Sequence, residues 1–318
     1  MPDNNNGNTL RRKKRGSKKQ RKYTRKFKNM NCHPQVAGKT VRENSCLTND
    51  VLIQLKDSFN KGHPDKRIFT TDPKKIWTDL KRKLKTCNKE DCWLDSIDDP
   101  IVRRKIDKQT FAPDHPETWK KDPNKWLSNI DIRDVLKQYE ETYPEFKLFG
   151  PTPIDFDRHL PEEGNNCVNE GICNIQIKEQ LDAGKTKLGM VFNLDKYGQG
   201  GSHWISMFVD LDEHYIFFMD SAGDKIPSEV DVLAKRIIEQ GRMLDTPILF
   251  HFHENCPLEH QYENNECGMY SLYFIITMLT NKTGKKIFKN YIDKIAFFKT
   301  KRIPDKYMSQ YRKKYFNS

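Results

Sequence analysis

An α+β fold is predicted by three features of this 318-residue chain. Short apolar segments of strand composition fall between Leu188 and Met219, helical periodicities lie before and after them, and the run from Cys267 to Leu279 is apolar nearly all round. A helix without a polar face has to sit in the middle of a core. With 36% hydrophobic residues the chain can build such a core, and its composition excludes collagen, coiled coil and wholly disordered classes. No apolar run approaches the roughly 18 residues of a spanning helix, and the basic N-terminus lacks the apolar stretch of a secretory signal, so a soluble, non-secreted protein is expected.

The net charge of +12 is concentrated at one end. Residues 1–30 hold 12 Lys/Arg and one acidic residue, whereas the remainder carries 44 basic and 43 acidic side chains. A self-repelling block from Arg11 to Lys28 is expected to be disordered. It reads as a nuclear address, a tether for DNA, RNA or an anionic surface, or a solubilising tail, and composition does not separate these.

Beyond the tail, residues 32–45 read as irregular. Thr48 or Asn49 caps a helix with Val51, Leu52, Leu55 and Phe59 on one face. A second helix starts from Thr71 or Asp72 with Pro73 in the first turn. It buries Ile76, Trp77, Leu80 and Leu84 and turns Lys74, Lys75 and Lys81 to Lys83 outward. That basic face is a solvated surface or a second nucleic-acid contact. Four prolines between Asp95 and Lys125 mark a connecting region, so the expected units are a tail over 1–30, a helical extension with its linker over 31–125, and a main domain over 126–318.

The main domain opens with a helix containing Ile130, Val135 and Leu136, ended by the stretch from Pro144 to Pro153. Strands follow at Leu188–Asn193, Trp204–Leu211 and Tyr215–Met219, with Asp210 to His214 as a hairpin turn. A helix from Ser228 is expected with Val230, Val232, Leu233, Ile237 and Ile238 as its apolar residues, closed by Gly241. Pro247 then introduces a strand at Ile248–Phe252. Two more helices complete the chain, the last begun by Pro304.

Cys267 stands where a polar loop meets the start of the apolar helix, so unpaired N–H groups and the helix dipole favour its thiolate, and Gly268 permits close approach. Alone this is a weak signal, because a buried cysteine is usually a small hydrophobe. Its company strengthens it. His203, in SHW, can take a proton from a thiol, and Asp220, 17 residues later at the end of the next strand, can orient an imidazole. Gln261, six residues before Cys267, offers an amide N–H to an oxyanion.

The order His203, Asp220, Gln261, Cys267, in HW, DS and Q-x5-C-G contexts, resembles the ubiquitin-like-protease superfamily of cysteine peptidases. That group includes SUMO-deconjugating enzymes, adenovirus-type proteinases and the polyprotein-processing peptidases of African-swine-fever-type and other large DNA viruses. The resemblance covers about Trp126 to Phe298, with Trp126 and Leu127 similar to the WL motif that opens the family's catalytic domain. It implies a papain-like or adenain-like domain with a central mixed sheet and a buried nucleophile helix. It also implies thiol-dependent peptide hydrolysis after small, Gly-Gly-X-like motifs in a channel formed with Trp126 and Trp204, without metal or organic cofactor. Glu266 departs from the Asp that many relatives place before the cysteine. The segment DKYGQGGS is longer than in compact SUMO proteases and is expected to be a mobile loop at the cleft rim; it lacks the Lys-Ser/Thr of a P-loop.

That insertion, the N-terminal extension and the basic tail favour a viral protease that trims structural polyproteins in the virion and host cytoplasm. A modifier-deconjugating enzyme, with a nuclear location as alternative, is the second expectation. A nucleic-acid-associated virion protein with a vestigial peptidase domain, or an acyl transferase, is the third. The eight cysteines are too sparse for a disulfide scaffold, and none of Cys87/Cys92, Cys167/Cys173 or His251/His253/Cys256 has the spacing of a common zinc knuckle, so free thiols and no metal are expected.

Overall fold

In the computed structural model residues 26–85, 88–284 and 286–318 are described. Nearly all of the expected basic tail lies outside them. Among them no helix is long and apolar enough to cross a membrane.

The first three helices, α1 (Asn49–Gly62), α2 (Pro73–Lys83) and α3 (Pro100–Thr110), begin at local sequence signals. The Thr48 hydroxyl accepts from Val51 N, and the Asp72 carboxylate accepts from Lys74 N and Lys75 N. Leu52, Leu55, Phe59, Ile76, Trp77 and Leu80 join Trp93 and Ile106 in one small core. Helix α3 corrects the expectation of a purely connecting region. Pro100 occupies the first turn, where its missing N–H removes no helical bond, and Asp99 caps the amides of Ile101 and Val102. The end of the chain returns to this unit: Asn317 donates to the carbonyls of Asn31 (3.1 Å) and Ala112 (2.8 Å), and Asn31 N donates to Asn317 Oδ1 (2.7 Å).

Helix α4 (Asn129–Thr142) is closed at its start by a reciprocal bond pair between Ser128 and Asp131. It leads into β1 (Phe146–Pro153), a strand where only a helix-ending stretch was expected. The prolines are tolerated because β1 is an edge strand and its register slips between Phe149 and Thr152, around Pro151. Short helices α5 (Glu170–Cys173) and α6 (Ile177–Asp182) connect it to β2 (Lys187–Asn193). Then come β3 (Trp204–Asp210), β4 (Tyr215–Met219), α7 (Ser228–Arg242) and β5 (His251–Glu254). The five strands lie in chain order in one mixed sheet, parallel at both outer pairs and antiparallel in the middle. The mixed-sheet α+β architecture is the predicted one. The last strand starts three residues later than expected, because Ile248 N is engaged by Gly241 O at the end of α7 and pairing begins only where His251 N meets His214 O.

Helix α8 (Cys267–Thr280) packs on one face of the sheet, α9 (Tyr291–Thr300) and α10 (Asp305–Tyr315) pack around it, and α7 covers the other face. Side chains alternate along the central strands, so Trp204, Phe208, Tyr215, Phe217 and Met219 face α8, whereas Ile205, Met207, Val209, Ile216 and Phe218 face α7. Covering on both faces explains why these strands read as continuous apolar runs. Gly241 lies inside the last turn of α7 rather than beyond it. A Cβ there would stand 2.6 Å from the Phe250 ring, so its function is close approach.

In place of the expected free thiols, Cys32 is bonded to Cys46 and Cys167 to Cys173. Low cysteine density says nothing about distances after folding, which the irregular 32–48 segment and a short hairpin determine here. Cys256 and Cys267 are free.

Gly189, in the middle of β2, lets α8 and β1 close on the sheet, since a Cβ would fall 2.8 Å from the Phe146 ring and 3.1 Å from Ile275. Gly189→Ala is expected to destabilise the fold by about 1–3 kcal/mol, measurable as a lower urea midpoint with an unchanged slope.

Candidate active site

Antiparallel pairing places the beginning of β3 beside the end of β4, with Ser206 opposite Met219. His203 precedes β3 and Asp220 follows β4, so both stand at the same end of the sheet. The N-terminus of α8 reaches that end, where Gly268 meets Leu127, Trp204 and Ile132 at distances that a Cβ would reduce to 3.1–3.4 Å. The absent side chain of Gly268 therefore lets the helix pack closely against the β3 entrance.

His203 Nε2 and Asp220 Oδ1 are 2.7 Å apart, and the same imidazole hydrogen-bonds to Cys267. Burial opposes charge on this ring. Hydrogen bonds to Asp220 and Cys267, with the negative charges of both, outweigh that penalty and push His203 up to about 10. The ring is thus suited to carry a proton as imidazolium beside Cys267.

Asp220 is itself held rigidly. Its carboxylate accepts from Ala222 N (2.8 Å), and the buried Asn255 side chain brackets its backbone, accepting from Asp220 N (2.9 Å) and donating to Asp220 O (2.7 Å) and Leu258 O (2.8 Å). Gln261 is anchored to the neighbouring residue: Ser221 Oγ donates to Gln261 Oε1 and Gln261 N to Ser221 O, each at 2.8 Å. This occupies the acceptor end of the amide and leaves its donor end for another partner. His260 fastens the other side of the loop. Its Nδ1 accepts from Ile303 N (3.1 Å) and its Nε2 donates to Phe298 O (2.9 Å). Burial lowers its pKa to about 4 against the pull of the Phe298 carbonyl, with help from the Arg302 charge, and keeps the ring neutral.

Glu266 is buried and paired with Arg312 of α10, whose Nε lies 2.8 Å and 3.0 Å from the two carboxylate oxygens. Burial raises the Glu266 pKa while the guanidinium pulls it back. Arg312 also donates to Lys125 O and Asn265 O, each at 2.9 Å, and its guanidinium lies 4.4 Å from the centre of the Trp119 ring. One side chain thereby ties the residues before Cys267 to the segment leading into Trp126.

Trp126 and Trp204 line one cleft of about 580 Å³, bounded on the far side by Asn193, Asp195 and Gly198 to Gly201. Trp204 Nε1 donates to Leu127 O (3.0 Å), which fixes the indole at the cleft floor, whereas the Trp126 side chain is exposed. The glycine-rich segment expected to be mobile is pinned on both sides. Ser202 Oγ donates to Asp195 Oδ1 (2.8 Å), Ser202 N to Asn193 Oδ1 (3.3 Å), and Tyr197 N to Asp155 Oδ1 (2.7 Å). Residues 196–200 of the segment are exposed.

The arrangement brings His203, Asp220 and Cys267 into bonding contact, adds Gln261 through Ser221, and sets Trp126 and Trp204 in an adjoining cleft. Residues 176–317 match the model of the Ulp1 protease family, C-terminal catalytic domain. This region is the catalytic domain of a Ulp1-family cysteine protease. A protein of Acanthamoeba polyphaga mimivirus that carries a thiol protease name is 27% identical over 281 residues, 81% of this chain and 87% of that protein. A protein of African swine fever virus named as a SUMO-1 cysteine protease is 30% identical over 197 residues, 58% of this chain and 66% of the relative. The crystal structure of an African swine fever virus protease has the same fold (TM-score 0.60, 19% identity, 91% of this chain and 96% of that one). The family match begins at residue 176 and so leaves Trp126 and Leu127 outside it.

Asn255, His260 and Arg312 escaped sequence reasoning. The first two carry no local signature. Arg312 does, because Met308, Tyr311, Arg312 and Tyr315 form one buried helical face, and a guanidinium on an apolar stripe needs a buried partner.

Arg312→Met is expected to cost about 3–5 kcal/mol in a urea titration, because it strands the Glu266 charge. For His203 the folded pKa stands above the unfolded 6.5, so its contribution to stability is complete below pH 6.5 and is lost as pH rises through about 10. The stability gap between wild type and His203→Ala should accordingly be wide at pH 6 and narrow at pH 10.

Proposed function

We propose that the chain is a processing endopeptidase that cleaves a structural polyprotein after small, Gly-Gly-X-like motifs. The observation that carries the reading is the imidazole bonded to both Asp220 and Cys267 beside the Trp126–Trp204 cleft. In this reading His203 holds the proton of Cys267 as imidazolium, and the thiolate attacks the scissile carbonyl. The Gln261 amide and the Cys267 N–H bind the oxyanion. His203 then protonates the leaving amine, and water deprotonated by the same ring hydrolyses the thioester and restores the thiol pair. Asp220 orients the ring throughout. Every proton moves within this group, so the reading calls for no cofactor.

Processing of a polyprotein, rather than removal of a ubiquitin-like modifier, is supported by three features. They are the glycine-rich wall that narrows the cleft opposite Trp126, the helical extension before the catalytic domain, and the basic tail from Arg11 to Lys28. Narrow walls favour residues without side chains at the cleavage point. The tail would hold the enzyme near packaged nucleic acid by counterion release, in keeping with action in an assembling virion or the surrounding host cytoplasm. Deconjugation of a modifier is the second reading, favoured by the relative named for SUMO-1.

A Gly-Gly-X peptide vinyl sulfone should label Cys267 in the wild-type chain, with labelling reduced by about 10²-fold or more in His203→Ala. The same chain should cleave a Gly-Gly-X precursor peptide. Turnover of a SUMO conjugate with none of the peptide would select the second reading, and label on any other cysteine would remove both.

A further inference from the structure

Between β1 and α6 the chain forms a small lobe, residues 155–175, away from the Cys267 group. A two-residue ladder sets His159 opposite Cys167 and Leu160 opposite Asn166, closed by a turn in which Gly164 (φ 74°) and Asn165 (φ 63°) are left-handed. The ladder brings His159 Nε2 to 3.8 Å from Cys167 Sγ, and α5 delivers the sulfur of Cys173 to the same point. All three donor atoms lie within 4.8 Å of one another.

The decisive detail is the other imidazole nitrogen. His159 Nδ1 lies 2.7 Å from the Asn165 carbonyl oxygen, which can only accept, so Nδ1 carries the proton and donates it. Nε2 is left as a bare lone pair aimed at sulfur. A backbone carbonyl that fixes the tautomer and turns the free nitrogen toward thiols is the support usual behind metal-binding histidines. Distances agree with that use. With zinc–nitrogen and zinc–sulfur bonds of about 2.0 and 2.3 Å, a tetrahedral site has a nitrogen–sulfur edge of about 3.5 Å, close to the 3.8 Å found between His159 and Cys167.

We propose that His159, Cys167 and Cys173 bind Zn²⁺, the ion that two thiolates and a neutral imidazole favour. In the structure the two sulfurs are bonded to each other, with Cα atoms 6.4 Å apart. The zinc form belongs to the reduced chain. A thiol reductant supplies two electrons and two protons to the disulfide and is itself oxidised to a disulfide. The cation then displaces one proton from each thiol, and the sulfurs stand about 3.8 Å apart across the metal. Water takes the fourth position on the side where His159 is exposed. Common knuckle spacings do not appear because the ligands come from opposite strands of a hairpin and a following helix. Asp155 at the base of the lobe accepts from Tyr197 N in the cleft-rim segment, so the metal steadies one wall of the cleft from outside.

The test uses the full chain purified with reductant and without chelator. Elemental analysis should find about one zinc per chain, and Co²⁺ exchanged into the site should give a sulfur-to-cobalt charge-transfer band. Cys167→Ser should lose both. His159→Ala removes only an exposed side chain, so it should stay folded by circular dichroism and bind the metal at least tenfold more weakly. Cys256→Ser should bind as wild type does. The proposal is overturned by a metal-free wild type with no charge-transfer band, by a Cys167–Cys173 disulfide that persists in intact-mass analysis under reductant, or by metal retained equally in His159→Ala and Cys167→Ser.

Discussion

Helix α8 has no polar face, and the rest of the structure follows from where it must go. Thirteen consecutive residues from Cys267 to Leu279 are buried, and an element of that kind is stable only when covered on every side. The sheet supplies one wall, α4, α9 and α10 the others. Its N-terminus cannot be hidden as well, because the first turn leaves amide groups without helical partners. Cys267 therefore stands at the boundary between core and cleft, shielded enough to strengthen its contact with His203 and close enough to the surface to meet a substrate.

Buried charges near that boundary stand in pairs. Asp220 holds His203 and is held by Ala222 N and the Asn255 bracket, so the imidazole has one orientation. Glu266 and Arg312 form the second pair, worth less as net attraction than as a constraint, since desolvation opposes the Coulomb gain. Its value is geometric: three segments distant in sequence, 119–125, 265–266 and α10 itself, are joined at one guanidinium. His260 contributes differently, as a neutral ring that spans two backbone groups and fixes the loop bearing Gln261. In each case rigidity around the thiol comes from saturated hydrogen bonds, and an unsatisfied member would be costly at this depth.

The lobe over 155–175 obeys a different rule. Its two-residue ladder is too short to be stable unaided. A crosslink between Cys167 and Cys173, through sulfur or through metal, supports it from one end. The same reasoning accounts for Cys32 and Cys46, which join the irregular entry of the helical extension to the segment before α1.

Patterns of short range were legible in the residues themselves. The caps at Thr48 and Asp72, the amphipathic faces of α1, α2 and α7, the apolar α8, and the hairpin at β3 and β4 depend on neighbours within a turn or a strand, so periodicity and capping chemistry suffice to find them. His203, Asp220, Gln261 and Cys267 were legible for a further reason, because their local contexts resemble a known family. Helix α3 and strand β1 were hidden by prolines whose meaning depends on position: a first-turn proline starts a helix, and an edge-strand proline leaves the ladder intact. What only tertiary structure decided are contacts between groups far apart along the chain. Asn255 reaches Asp220 across 35 residues and Arg312 reaches Lys125 across 187. The meeting of His159 with two sulfurs likewise depends on a hairpin register that no residue announces. Such partners are selected by the collapsed geometry, in which buried polar groups must find one another wherever they lie in the sequence.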